Sequence, residues 1–261
     1  MKLLFFDIDG TLYPDHTTVL PESAVRALRR AKQAGHRIFI NTGRVPCHID
    51  PQLRNFPFDG YLCACGCHIE LEKQLILSVS YDHAQSRRIL EAVRSLSLEG
   101  YYEGREKISL DPLFPAGSFS QRLQSYLLRL GILGSTEDED FTFQKFFLFS
   151  EDPGQIRNLQ QMLPWPVCPI DRGGHPRGWE ITPDQYDKGT AIRFVADYLH
   201  RSLEDCIAFG DSTNDLGMLS TCPVSVCMGN APKPVQDLCT LVTGRAEEDG
   251  LLNAMEKLEL I

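Results

Sequence analysis

The stretch that decides the fold is KLLFFDIDGTL, residues 2–12. Its apolar run Leu3–Phe6 leads directly into Asp7 and Asp9, which are separated by a single residue. An ionised carboxylate is costly to bury unless it is paired or bound to a metal, and two neighbouring carboxylates repel each other. The stretch therefore predicts a buried β-strand with an acidic functional site at its end.

A helix and a second strand follow the first strand. PESAVRALRRAKQAG, residues 21–35, has apolar residues at helical spacing, with a proline near its start and a glycine at its end. HRIFIN, residues 36–41, is typical of a strand. A strand–helix–strand order favours a parallel sheet, so the sequence predicts an α/β fold with a Rossmann-like parallel-sheet core.

The same pattern resumes near the C-terminus after a differently patterned middle. From about residue 182 a helix at 187–200 and a strand at 205–210 are predicted again. We therefore predict a discontinuous core of residues 1–81 and 182–261, with an α/β module inserted at 82–181.

Composition limits the classes of function. The 261-residue chain has a net charge of −9 and a pI near 5.3, which argues against binding to the phosphate backbone of nucleic acids. No apolar run approaches the ~18 residues of a membrane span, and the N-terminus does not resemble a signal peptide. Nine scattered cysteines suit reduced thiols in a cytoplasmic protein. The sequence leaves the oligomeric state open.

Polar clusters follow three of the predicted strands, and a fourth opens a helix. Because the carboxyl ends of parallel strands line the ligand crevice of such a sheet, we expect these clusters to meet. Their members are Asp7 and Asp9; Thr42, Gly43 and Arg44; Asp211, Asn214 and Asp215; and Lys188.

The chemistry of these residues indicates a metal and a phosphoryl group. Oxygen ligands without histidine or cysteine favour Mg²⁺ over Zn²⁺. Lys188, Thr42 and Asn214 add a positive charge and neutral donors, which together with a metal suit a dianionic phosphoryl group. Cys63, Cys65 and Cys67 lack zinc-site spacing and are interpreted as buried small side chains.

The segments DIDGTL, NTGR, DKGTA and GDSTNDLGML resemble, in order and spacing, the four motifs of the haloacid dehalogenase superfamily of phosphohydrolases. The pattern is most similar to the Cof-type branch, which carries a large α/β cap between the second and third motifs. MGNA at 228–231 and VTGRAEEDGL at 242–251 are similar to C-terminal segments of that branch. One departure is Cys65–Gly66, where the branch usually has an Asn–Gly pair.

The resemblance implies a role for each matching position. It makes Asp7 the nucleophile, Asp9 the general acid and then base, and Lys188 the group that neutralises phosphate and holds Asp7. Phosphate-binding positions are Thr42, Gly43 and Asn214. Metal-binding positions are Asp7, Asp9 through its backbone carbonyl, Asp211 and Asp215, the last ordering the loop or the waters of the metal.

Substrate contacts outside the motifs are weaker expectations. Trp179 and Glu180 occur where the inserted module returns to the core, and cap-to-core strands in such enzymes face the site, so both are candidate substrate ligands, with packing as the alternative. Arg44 is a further candidate, with pairing to an acidic core residue as its alternative.

Together, the residues and the resemblance predict a Mg²⁺-dependent phosphatase. It would hydrolyse a small soluble phosphomonoester, a sugar phosphate or a nucleotide-like or cofactor phosphate, through a phospho-aspartate intermediate. The alternatives are a phosphomutase and a non-catalytic phosphate-binding protein on the same scaffold.

Overall fold

A computed structural model describes residues 1–113 and 118–261. The strands in chain order are β1 Leu3–Phe6, β2 Arg37–Asn41, β3 Gly60–Cys63, β4 His68–Leu71, β5 Gln74–Ser78, β6 Glu99–Glu103, β7 Ile108–Leu110, β8 Leu133–Ser135, β9 Lys145–Phe149, β10 Val167–Gly173, β11 Gly178–Pro183, β12 Cys206–Gly210, β13 Val224–Cys227 and β14 Leu241–Val242. The α-helices are α1 Glu22–Gln33, α2 Pro51–Asn55, α3 His83–Ser95, α4 Phe119–Leu130, α5 Pro153–Met162, α6 Lys188–Tyr198, α7 Leu216–Thr221, α8 Lys233–Gln236 and α9 Gly250–Lys257.

The chain divides into two compact units. The first comprises Met1–Gly43, Asp50–Leu77 and Tyr186–Ile261, and the second comprises Arg44–Ile49 and Ser78–Gln185. The short segment Arg44–Ile49 joins the second unit through its own contacts: the backbone N–H of Cys47 donates to the carbonyl of Arg105 at 3.2 Å.

The first unit is built on an eight-stranded sheet in the order β14-β13-β12-β1-β2-β3-β4-β5. The pairs from β14 to β3 are parallel, and β4 runs antiparallel to β3. Thus β1 lies between β2 and β12, with Phe6 opposite both Ile40 and Phe209. The predicted α/β class with a Rossmann-like parallel-sheet core is confirmed.

All four residues of β1 are fully buried, as the opening apolar run predicts. Leu3 and Phe5 belong to a hydrophobic core that includes Ile192 and Val195 of α6. Since successive strand residues point to opposite faces, the burial of Leu4 and Phe6 means that the sheet is covered on both faces. The polar ends of its strands are therefore the natural place for a site.

The second unit is built on a six-stranded sheet in the order β10-β11-β9-β6-β7-β8. Its pairs are antiparallel except β7 and β8, which are parallel. One face packs against α3 and α5 in a second hydrophobic core, which contains Tyr102, Phe146, Leu148, Ile89 and Leu159.

Among the described residues, no helix combines the length and apolar character that crossing a membrane would require. A turn cluster expected at 111–117, from its turn-forming residues, lies from residue 114 onward outside the described residues.

Candidate active site

Three adjacent strands of the first unit place the polar clusters at one edge of the sheet. Asp7 follows β1, Thr42 follows β2 and Asp211 follows β12, and these strands are hydrogen-bonded neighbours in the order β12-β1-β2. The backbone N–H of Asp7 donates to the carbonyl of Phe209 at 3.0 Å, which continues the ladder to the first acidic residue. Thr42 is also fixed by its backbone, since its N–H donates to the carbonyl of Leu62 at 2.8 Å.

A fully buried lysine joins two of the carboxylates. The Nζ of Lys188 donates to Oδ1 of Asp7 and to Oδ1 of Asp215, each at 2.6 Å. Burial alone would lower the pKa of Lys188, but the carboxylates of Asp215 and Asp7 outweigh it and raise that pKa above its ordinary value. Lys188 therefore carries a fixed positive charge.

The start of α6 is held in place from two sides. The side-chain amide of Asn41, the last residue of β2, donates to the backbone carbonyl of Lys188 at 2.9 Å. At the next position, a Cβ on Gly189 would lie 2.4 Å from the carbonyl oxygen of Gly217 in α7. Only glycine permits this close approach, which sets the position of Lys188 against the loop before α7.

Asp215 organises the loop that follows β12. Its Oδ2 accepts hydrogen bonds from the backbone N–H groups of Asp211 and Ser212, each at 2.9 Å, while its Oδ1 accepts from Lys188. The hydroxyl of Ser212 donates to Oδ1 of Asn214 at 2.7 Å. The GDSTND segment is therefore a rigid loop whose shape depends on Asp215.

The carboxylate of Asp211 has a separate donor on each oxygen. Thr11 donates to Oδ1 at 3.1 Å, and the amide of Asn230 donates to Oδ2 at 3.0 Å. Gly10 has a φ of +84°, and a Cβ there would lie 2.3 Å from Oδ2 of Asp211. Glycine is required at this position both for its backbone conformation and for space.

Three buried carboxylates fit a hard metal ion. Asp7, Asp211 and Asp215 each offer an oxygen, and these oxygens lie within 4.8 Å of one another. Burial raises the pKa of Asp7 to about 7, although Lys188 opposes that shift, and burial with the charge of Asp7 raises the pKa of Asp211 to about 8. A bound cation would relieve the excess negative charge, and a set of oxygen donors suits Mg²⁺.

The other predicted residues are placed as follows. Asp9 has an exposed side chain that lies outside the group of three carboxylates, so its backbone carbonyl remains the expected ligand. Gly43 follows Thr42 at the edge of the sheet, and Asn214 lies in the loop after β12. Arg44 and Glu180, by contrast, belong to the second unit.

Glu180 is part of a buried charged cluster in the second unit. The Nζ of Lys145 contacts Oε1 of Glu180 and Oε2 of Glu103, each at 2.6 Å. Trp179 has a different environment: it is buried in the hydrophobic core of that unit, and its indole N–H donates to the carbonyl of Ser150 at 3.0 Å. Trp179 thus packs in the core of the second unit, and a substrate role for Glu180 stays a prediction.

Sequence reasoning missed three residues of the site: Thr11, Asn41 and Asn230. Thr11 and Asn230 lie in segments that carry the resemblance, DIDGTL and MGNA, which implies no role for their side chains. A signal existed, because a hydroxyl or amide beside an acidic motif is a suitable donor to a carboxylate. The only signal for Asn41 was its polar side chain at the end of a predicted buried strand.

The three alternating cysteines of β3 and the following turn are buried as expected. Cys63, Cys65 and Cys67 are buried, and none of the nine cysteines forms a disulfide. Cys65 has a φ of 52°, in the left-handed region where asparagine is favoured over other non-glycine residues. The backbone that suits the usual Asn–Gly pair is thus kept here with a different side chain.

A family model and several relatives match this chain over nearly its whole length. The model of haloacid dehalogenase-like hydrolases matches residues 4–255. A Haemophilus influenzae protein, named only as a candidate phosphatase, is 39% identical, with 98% of this chain and 97% of the relative covered. The pyridoxal phosphate phosphatase of Escherichia coli is 24% identical, with 96% of each covered.

A solved structure agrees with this likeness. A sugar phosphatase of subclass IIB of the haloacid dehalogenase superfamily superposes with a TM-score of 0.85 at 25% identity, and all of both chains is covered.

Proposed function

This chain belongs to the haloacid dehalogenase-like hydrolase family and is a phosphoric monoester hydrolase, and from that premise we propose that it uses Mg²⁺ and a phospho-Asp7 intermediate to hydrolyse small phosphorylated metabolites. The observation that carries the proposal is the buried group of Asp7, Asp211 and Asp215 with Lys188 bonded to Asp7.

Asp7 is the proposed nucleophile. An oxygen of its carboxylate attacks phosphorus, the bond to the leaving alcohol oxygen breaks, and an acyl phosphate forms on Asp7. Lys188 supports this role, because its fixed charge favours the ionised carboxylate and also attracts the phosphoryl oxygens. Hydrolysis of the acyl phosphate then returns Asp7 and releases phosphate.

Asp9 is the proposed general acid and base. It would protonate the leaving oxygen in the first step and accept a proton from the attacking water in the second. Its exposed side chain supports this assignment, since a proton donor must reach the substrate rather than remain inside the carboxylate group.

Mg²⁺, when bound, would neutralise charge on the phosphoryl oxygens. We assign it to carboxylates of Asp7 and Asp211 and to the backbone carbonyl of Asp9. Asp215, whose oxygens already accept hydrogen bonds from Lys188 and the loop, would act on the metal by holding that loop. Thr42, Gly43 and Asn214 are the proposed phosphate-binding positions.

We propose that residues 1–81 and 182–261 hold the catalytic machinery and that the insert at 82–181 selects the substrate. Glu180, together with Arg44 of the second unit, is the proposed substrate-contacting group. The relatives act on pyridoxal phosphate, on 5-amino-6-(5-phospho-D-ribitylamino)uracil and, for the solved structure, on sugar phosphates. They support a sugar phosphate or a nucleotide-like or cofactor phosphate as the substrate class.

A phosphate-release assay with Mg²⁺ tests this function. We expect turnover of p-nitrophenyl phosphate that stops in excess EDTA and returns with Mg²⁺. It should return less well with Ca²⁺, whose longer bonds and higher coordination number would misplace the phosphoryl group. A panel of sugar, nucleotide and cofactor phosphates then ranks the substrates by kcat/KM.

The same assay in ¹⁸O-labelled water identifies the acceptor. Label in the released phosphate means transfer to water, whereas return of the phosphoryl group to the organic product would identify a phosphomutase. Full activity in excess chelator would contradict the metal assignment, and binding of phosphate esters without turnover would indicate a binding protein.

A further inference from the structure

The Asp211 carboxylate is held by side chains from outside its own loop. Each of its oxygens accepts one hydrogen bond, from the Thr11 hydroxyl and from the Asn230 amide. These donors are far apart in the sequence: Thr11 lies in the loop after β1, and Asn230 lies in the loop after β13. The orientation of Asp211 therefore depends on two loops besides its own.

The chemistry of Asn230 fixes which way its amide points. Nδ2 of Asn230 faces Asp211, which is the orientation that the ionised, metal-binding carboxylate requires, because such a carboxylate can only accept hydrogen bonds. Oδ1 of Asn230 is then turned elsewhere, and this buried atom has no hydrogen-bond partner among the residues that the structure describes. A buried acceptor needs a donor, and a bound water would supply one.

The two residues before Asn230 are fixed by their backbone hydrogen bonds. The N–H of Met228 donates to the carbonyl of Gly210 at 3.0 Å, and the N–H of Gly229 donates to the carbonyl of Gly244 at 3.1 Å. A Cβ on Gly10 would lie 2.8 Å from Nδ2 of Asn230 as well as against Asp211. The amide and the carboxylate are thus packed together against the Gly10 backbone.

We propose that Thr11 and Asn230 are positioning residues for the metal site: they hold the Asp211 carboxylate in the orientation in which it would bind Mg²⁺. The inference rests on the proposed function, because it presumes that Asp211 is a metal ligand. Partners that orient a ligating carboxylate typically change metal affinity by about 10–100-fold when they are removed.

The test is Mg²⁺ binding measured by calorimetry on EDTA-stripped protein without substrate. Thr11→Val keeps the shape of the side chain but removes the hydroxyl, and Thr11→Ser keeps the hydroxyl. We expect Thr11→Val and Asn230→Ala to weaken Mg²⁺ binding by about 10-fold or more, and Thr11→Ser to bind like the wild type. In turnover assays the Mg²⁺ concentration for half-maximal activity should rise by the same factor.

Asn253→Ala is the matched control for Asn230→Ala. Asn253 is exposed on α9, and its amide lies 3.5 Å from the carbonyl of Glu248, so the variant should not change Mg²⁺ affinity. Thermal melts verify folding, and the Thr11 pair provides a test even if Asn230→Ala does not fold. Equal Mg²⁺ affinities of Thr11→Val, Thr11→Ser and the wild type would overturn this inference alone. If the wild type bound no Mg²⁺, both this inference and the proposed metal would be overturned.

Discussion

The molecule contains two buried lysines that have similar local partners. Lys188 in the first unit contacts Asp7 and Asp215, and Lys145 in the second unit contacts two glutamates, with every contact at 2.6 Å. Judged by residue type, distance and burial, the two clusters are nearly alike. Their positions in the two sheets differ, and with them the chemistry that each cluster can perform.

The Lys145 cluster lies within strands, whereas the Lys188 cluster lies beyond their ends. Glu103 is directly opposite Lys145 in the register of β6 and β9, and Glu180 lies within β11, so ladder hydrogen bonds fix their backbones. At the sheet edge of the first unit, Asp211 adds a third carboxylate to the Lys188 cluster. A buried ion pair alone is therefore weak support for a catalytic role, and its position at the strand ends is the stronger indication.

The most direct test of this difference is to change one carboxylate to an amide in each cluster. Asp7→Asn should lower kcat by at least ~10³-fold, because an amide neither attacks phosphorus nor carries charge to the metal. Glu103→Gln should lower it by less than about 10-fold, although it too removes a charge beside a buried lysine. Phosphate-release rates with Mg²⁺ measure both, and thermal melts verify folding. Similar losses of kcat in the two folded variants would show that the two clusters do not differ in catalytic importance.

A smaller effect should separate selection of the substrate from the chemistry. Glu180→Gln should change the ratio of kcat/KM between two phosphate esters by about 10-fold, the scale of a changed pocket contact. The Mg²⁺ requirement should stay the same. Glu106→Gln, an exposed change in the same unit, is the control. If the substrate ranking stays the same in folded Glu180→Gln, this residue is structural, as its bond to Lys145 alone would suggest.

A further effect, on stability rather than on activity, is a pH dependence in EDTA. Because the pKa of Asp7 is raised to about 7 and that of Asp211 to about 8, the folded state holds protons that the unfolded chain releases near 3.8. The free energy of unfolding should therefore fall as pH rises from about 5 to about 8, and Mg²⁺ should oppose this fall by favouring the ionised forms.

Thermal melts across this pH range, with EDTA or with Mg²⁺, measure the slope. For a chain of this size a change of 1 kcal/mol corresponds to about 2–4 °C in Tm. Asp211→Asn removes one of the two groups and should flatten the slope in EDTA. An identical slope in wild type and Asp211→Asn would show that other groups cause it.

The sequence predicted the first unit well because its signals are local. The short apolar run before Asp7 favours a buried strand, and each motif directly follows or opens an element, so the sheet edge could be inferred without any contact. The predicted family and the predicted enzyme class are confirmed. The assigned roles of the site residues stay predictions, which the variants above test.

The rest depended on contacts between distant residues. Nothing in the segment Arg44–Ile49 indicates that it belongs with the second unit, because that follows from its bond to Arg105. Similarly, Asn230 lies far along the chain from Thr11, and only the fold brings both to one carboxylate. Lys145 and its glutamates come from three separated strands, so no spacing rule could connect them.

The position of β1 between β2 and β12 has a consequence for how the protein is made. Residues 3–6 pair with residues 206–209, so this ladder closes a loop that contains most of the chain. Closing a long loop costs entropy before contacts compensate for it, and pairing across such a distance slows folding. During synthesis, the site around Asp7 therefore cannot form until residue 211 has left the ribosome, by which time the intervening residues can already have folded.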